Sequence, residues 1–174
     1  MGTQRLAEAI DMVLADPTIN SKVLFIDCKL ELMYKEQPFS GAIKNWANRG
    51  QRMIIAPAGN GNQSLKGPDD KSVLTVGAVN LDDTKASYSN YGSQVDLWAP
   101  GHSYVTTTTG TGYAVTDSTS VAAAHVVGIV GLILAIRPNL TGVQLRDILI
   151  DSADATDVGP RVNAERALQV ALTL

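Results

Sequence analysis

The sequence predicts an α/β domain in which a mostly parallel sheet is covered by helices on both faces. Three observations lead there. Two short apolar runs, Lys22–Ile26 and Arg52–Ala56, flank a stretch of helical pattern, which is the spacing of a βαβ unit with parallel strands. Two more runs of strand length follow, Ser72–Val76 and Val95–Trp98, punctuated by segments rich in Gly, Asp and Pro. Finally, Thr119–Ile136 reads as a helix without a polar stripe, so it is expected to run through a core with both flanks covered.

Taken in order, Arg5–Ala15 places Leu6, Ile10, Val13 and Leu14 on one face and Glu8 and Asp11 on the other, an amphipathic helix ended by Pro17. The strand at Lys22–Ile26 leads through a polar segment to a helix over about Gly41–Asn48, closed by Gly50. Arg52–Ala56 ends in the turn-prone Pro57-Ala58-Gly59-Asn60-Gly61-Asn62. Asp82-Asp83 and Ser87–Gly92 read as turns. Pro138 stops the long apolar helix, Thr141 caps a helix to about Ile150, and Asn163–Leu172 forms a last amphipathic helix. No repeat or linker divides the 174 residues, so residues 1–174 are expected to form one unit.

Composition narrows the function classes. A net charge of -3 leaves no basic footprint, so no nucleic-acid partner is expected. The apolar helix falls short of the roughly 20 residues of a membrane span and carries His125, so no membrane partner is expected either. No signal peptide is visible, because Met1–Leu6 lacks the basic-then-apolar order, and the compartment stays open. The single cysteine, Cys28, follows Phe25 and Ile26 and reads as a buried small hydrophobe. The Asp pairs at 69–70 and 82–83 have neither calcium-loop nor zinc-ligand spacing, and Gly59-Asn60-Gly61 lacks the third glycine of a dinucleotide fingerprint; no metal or cofactor is expected.

One junction points to chemistry. Ser118-Thr119-Ser120 runs straight into the apolar helix, which puts the Ser120 hydroxyl at the positive end of the helix dipole beside unpaired backbone N–H groups. That suits a nucleophile, but Ser and Thr are also the commonest helix caps, and the local pattern alone favours a cap. Asn60, in Gly-Asn-Gly-Asn, reads locally as a turn residue in a left-handed conformation. A nucleophilic serine needs a base and a carboxylate to orient it. The chain has two histidines, and neither is placed for that role: His125 lies five residues beyond Ser120 at another azimuth and reads as a core histidine, and His102 reads as a surface loop residue.

Three segments together resemble the C-terminal half of a subtilisin-family serine peptidase, over nearly the whole chain. Ala58-Gly59-Asn60 resembles the family's Ala-Gly-Asn, Val73–Gly101 resembles its strand-loop-strand ending in Ala-Pro-Gly, and Ser118-Thr119-Ser120-Val121-Ala122 resembles its Gly-Thr-Ser-Met-Ala; Arg161-Val162-Asn163-Ala164 also has a counterpart. The resemblance implies a three-layer subtilisin-like fold, present as a partial domain without the half that holds the family's Asp and His. It implies Ser120 as nucleophile and Asn60 as oxyanion donor for peptide-bond hydrolysis, inactive until Asp and His are supplied; the alternative is a pseudoprotease acting in binding or assembly. A peptide or protein substrate, and a partner chain or second copy covering the missing half, are then expected, in a family often secreted. The sequence departs from the family pattern at Ser118 for glycine, at Ala124 for proline, and at Asp27-Cys28-Lys29, where the family has its Ser-Leu-Gly substrate wall; Lys29 is expected to project toward the cleft.

Overall fold

The computed structural model describes residues 2–28, 35–49, 51–66 and 71–174. Lys29, Gly50 and the Asp69-Asp70 pair lie outside the described residues. In chain order the elements are α1 (Thr3–Ala15), β1 (Val23–Phe25), α2 (Phe39–Asn48), β2 (Met53–Pro57), β3 (Val73–Val79), β4 (Leu97–Pro100), β5 (Tyr104–Thr107), β6 (Tyr113–Thr116), α3 (Thr119–Ile136), α4 (Gly142–Asp151), β7 (Asp154–Thr156), β8 (Gly159–Arg161) and α5 (Ala164–Thr173).

Among the described residues, six strands form one sheet in the order β1-β2-β3-β4-β8-β7, parallel except for β7 against β8. The alternation of side chains along β2 separates two cores. Met53 and Ile55 face a cluster built with α3, α4 and α5, whereas Ile54 and Ala56 face one built with α1 and α2. All seven residues of β3 are buried, as a strand covered on both faces requires. Removing a side chain such as Ile55, which is fully buried, would cost about 2–5 kcal/mol.

The helix ends follow the caps. Thr141 accepts from the Gln144 N–H, and the Gln144 side chain accepts from the Thr141 N–H, closing a capping box at α4. Asn163 caps α5 through the Arg166 N–H, and Ser118 caps α3 through the Ser120 N–H.

Several expectations are corrected. The long apolar helix α3 is not covered on both flanks: Ala122, Val126, Ile129 and Ile133 are buried in the core it shares with the sheet, while Ala124, Gly128, Gly131, Leu132 and Ala135 face solvent, with Leu132 54% exposed. The absence of a polar stripe says that both faces avoid charge, and it does not say that both are covered in this chain. β3 runs on to Val79, because Val76–Val79 pair with Leu97–Pro100 of β4, and at Gly77 the Trp98 ring packs where a Cβ would stand 2.6 Å from it. β4 begins two residues later than expected, since the Asp96 carboxylate accepts from the Thr75 N–H and pairs with Arg146. The β5–β6 hairpin and the β7–β8 pair were not expected. Asp83 is more than a solvated turn residue, because its carboxylate pairs with Arg161 at 2.9 Å. Cys28 is half-buried beside the α1–α2 core, and burial pushes its thiol up to about 11.

Candidate active site

Three loops meet at the carboxyl ends of the parallel strands, which is where open α/β sheets hold their ligands. The loop after β2 carries Asn60, the loop after β4 carries Gly101 and His102, and the segment after β1 carries Asp27. The N-terminus of α3 closes the group with Ser118, Thr119 and Ser120.

Backbone chemistry sets the loop after β2. Gly59 sits at φ +99°, in the left-handed region, and a Cβ there would stand 2.7 Å from the Asn90 side chain. Asn90 is 9% exposed and holds that loop with both ends of its amide. Its Nδ2 donates to the Ala58 carbonyl at 2.8 Å, and its Oδ1 accepts from the N–H groups of Gly61 and Gln63 at 3.1 and 2.8 Å. The loop after β4 is anchored in a similar way. Tyr88 donates its hydroxyl to the Gly101 carbonyl at 2.6 Å, and burial, with the nearby Asp117 charge, pushes the phenol up to about 12. At Gly101 a Cβ would stand 2.7 Å from the Ser118 carbonyl oxygen, so this backbone approach requires glycine.

With the loops held, Asn60 docks on the helix start. Its Oδ1 accepts from the Thr119 N–H at 2.9 Å and the Thr119 hydroxyl at 2.8 Å, and the Thr119 Oγ1 in turn accepts from the Gly59 N–H at 3.0 Å. Its Nδ2 donates to Ser118 Oγ at 3.0 Å, and the Ser120 N–H donates to the same oxygen at 3.0 Å. The Ser120 hydroxyl donates to Asp27 Oδ1 at 2.7 Å.

The structure thus brings Asn60 and Ser120 together, and it engages both histidines elsewhere. His102 Nδ1 stands 3.1 Å from the Asp117 carboxylate, with both side chains nearly half exposed. His125 is partly exposed rather than a core residue: its Nδ1 is 3.0 Å from the Val121 carbonyl, and its ring meets Tyr104 edge-on at 4.5 Å. Sequence reasoning passed over Asp27 as a partner of Ser120, because 93 residues separate them and no local spacing joins them. It also passed over Asn90, which reads as one more turn residue in Ser-Asn-Tyr-Gly.

Chemically, the site places a hydroxyl at a helix N-terminus beside two N–H donors, the Ser120 backbone N–H and Asn60 Nδ2, both directed at Ser118 Oγ; donors of this kind are what acyl transfer uses to hold a developing oxyanion. The profile of the subtilase peptidase family matches residues 33–168. The chain belongs to the subtilase family.

Among subtilases it is 37% identical over 108 residues to a thermophilic serine proteinase of Bacillus sp. strain AK1, covering 62% of this chain and 26% of that protein. It is 40% identical over 107 residues to subtilisin amylosacchariticus of Bacillus subtilis subsp. amylosacchariticus, covering 58% of this chain and 28% of that protein. The chain therefore spans about a quarter of the length of these relatives. A solved protease structure from Pseudoalteromonas arctica superposes with a TM-score of 0.77 at 24% identity, over 98% of this chain and 59% of that one. That likeness establishes the subtilisin-like fold expected from the sequence.

Proposed function

We propose that this subtilase chain is the nucleophile-bearing portion of a serine endopeptidase that cleaves peptide bonds through an acyl-enzyme. The observation that supports this reading most is the Asn60 side chain bound to Thr119, directly beside the Ser120 hydroxyl at the start of α3. Ser120 Oγ attacks the carbonyl carbon, the carbonyl oxygen takes the charge, and Asn60 Nδ2 and the Ser120 N–H are the donors that meet it. The hydroxyl proton must go to a base. Both histidines of this chain are bound elsewhere, so the reading requires an imidazole, with a carboxylate to orient it, from outside these 174 residues.

Two features support a partner that brings them. The exposed stripe of α3 is apolar and lined with small residues, suited to close helix packing. Among the described residues, strand β1 forms the sheet edge, with Phe25 37% exposed between two apolar grooves, one against α1 and one against α3. A polypeptide adding a strand beside β1 and a helix over α3 would cover both.

A second reading, a pseudoprotease used for binding or assembly, is favoured by the bond from Ser120 to Asp27, which gives the nucleophile a carboxylate partner in place of an imidazole. Co-expression with a polypeptide carrying the subtilase Asp and His, followed by a peptide-hydrolysis assay, separates the two. The peptidase reading predicts hydrolysis that Ser120→Ala abolishes. A stable, stoichiometric complex that hydrolyses nothing would favour the pseudoprotease.

A further inference from the structure

We propose that the Ser118 hydroxyl oxygen fills the oxyanion hole of this site from within, so that a substrate carbonyl oxygen must displace it before Ser120 is acylated. The inference rests on the roles of Ser120 and Asn60 proposed above, and it concerns a residue that stands where the subtilase motif has glycine.

The geometry separates a plug from a simple helix cap. A capping serine accepts from N–H groups of its own helix, and Ser118 does so with the Ser120 N–H at 3.0 Å. Capping does not call for a second donor from another element, yet Asn60 Nδ2, 58 residues earlier, donates to the same oxygen at 3.0 Å. The direction of the Asn60 amide is fixed chemically. The Thr119 N–H can only donate, so the amide oxygen must face it, and the amide nitrogen is left facing Ser118. The two donors that would hold the tetrahedral oxygen therefore converge on one oxygen already present.

The plug is held on a fixed backbone. The Ser118 N–H donates to the Gly101 carbonyl at 2.9 Å, and Gly101 has no room for a Cβ against Ala78 and the Ser118 carbonyl. The Tyr88 hydroxyl donates to the same Gly101 carbonyl. Clearing the hole thus takes rotation of one side chain about χ1, with two hydrogen bonds given up. Two bonds of ordinary net strength correspond to about a tenfold to hundredfold slowing of any acylation or phosphonylation at Ser120.

The test uses the intact chain and an alkyl fluorophosphonate in excess, with Ser120 labelling followed by intact mass. In that reaction the Oγ–P bond forms, fluoride leaves and the hydroxyl proton passes to water; the phosphonyl oxygen needs the same two donors. Ser118→Gly and Ser118→Ala, which remove the oxygen, are expected to label about tenfold or more faster than the unaltered chain. Ser118→Thr, which keeps it, is expected to trail Ser118→Gly by the same factor. A mere cap gives the opposite order, because losing it loosens the helix start. Labelling of Ser118→Gly no faster than the unaltered chain overturns the plug and leaves Ser120 as nucleophile. Labelling that goes to another residue and never to Ser120 removes the nucleophile assignment, whereas no labelling at all is what the missing base predicts; in either case hydrogen exchange decides the plug. In the unaltered protein the Ser120 amide and the Asn60 side-chain amide must both be protected; an unprotected Asn60 amide overturns the proposal without reference to any variant.

Discussion

Replacing Asn90 with alanine removes three hydrogen bonds from the loop that carries Asn60, and the structure sets the size of the effect. The Ala58 carbonyl is at a residue only 2% exposed, so losing the Asn90 Nδ2 donor leaves a buried acceptor unpaired, which costs about 1–3 kcal/mol. The Gly61 and Gln63 N–H groups lie at exposed residues and recover water, so each loss costs only about 0.5 kcal/mol. Asn90→Ala is therefore expected to lower stability by about 2–4 kcal/mol in urea unfolding followed by circular dichroism, and the melting temperature by about 4–16 °C. Labelling of Ser120 should fall as well, because Asn60 loses its fixed loop. A stability loss below about 0.5 kcal/mol would refute the claim that Asn90 holds this loop.

Other expectations follow from single features. Asp154 is held below the usual carboxylate value of 3.8, first by its bond from Arg161 and then by Asn163. A lowered folded-state value gives stability that is present above the unfolded value and lost as pH falls through the folded one, so the gap in stability between the unaltered chain and Asp154→Asn should close below about pH 4. Cys28, with its thiol pushed up to about 11, should alkylate with iodoacetamide at pH near 8 about a hundredfold more slowly than an ordinary cysteine; a normal rate would mean that the segment after β1 is open to solvent. A Cβ added at Gly128 or Gly131 would meet no atom within 4 Å, so Gly128→Ala and Gly131→Ala should each raise the stability of the isolated chain by about 0.5–1 kcal/mol. Destabilisation on chemical unfolding would show that the outer face of α3 is already occupied.

The elements most legible in the sequence were those set by local chemistry. Thr141 and Asn163 cap helices where their side chains announce them, and α3 lies between Ser118 and Pro138, the residues that mark its limits in the sequence. The parallel pairing of β1 and β2 followed from two apolar runs around a helical pattern. The hairpin Tyr104–Thr116 escaped notice because its Thr-rich strands are exposed along most of their length and show no alternation of apolar and polar residues. Residues of the site divide in the same way. Asn60 and Ser120 stand in contiguous motifs, so the sequence points to them. Asp27 and Asn90 reach the site only through tertiary packing, at separations that no local pattern records. The solvent-facing side of α3 was misjudged for a related reason: hydrophobicity reports what a face avoids, and only the folded arrangement decides whether another element covers it.

The reading of the site stands or falls on the Ser120 hydroxyl having no effective base within this chain. The rate at which a fluorophosphonate labels Ser120 in the isolated protein at neutral pH reports on that base. In subtilisin, loss of the catalytic histidine costs about 10⁶ in kcat, a figure measured on that relative. Labelling is therefore expected to run at least about ten-thousandfold slower than for a complete subtilase under the same conditions. Stoichiometric labelling within minutes, lost on mutation of His102, His125 or Asp27, would show that the base lies inside the chain after all.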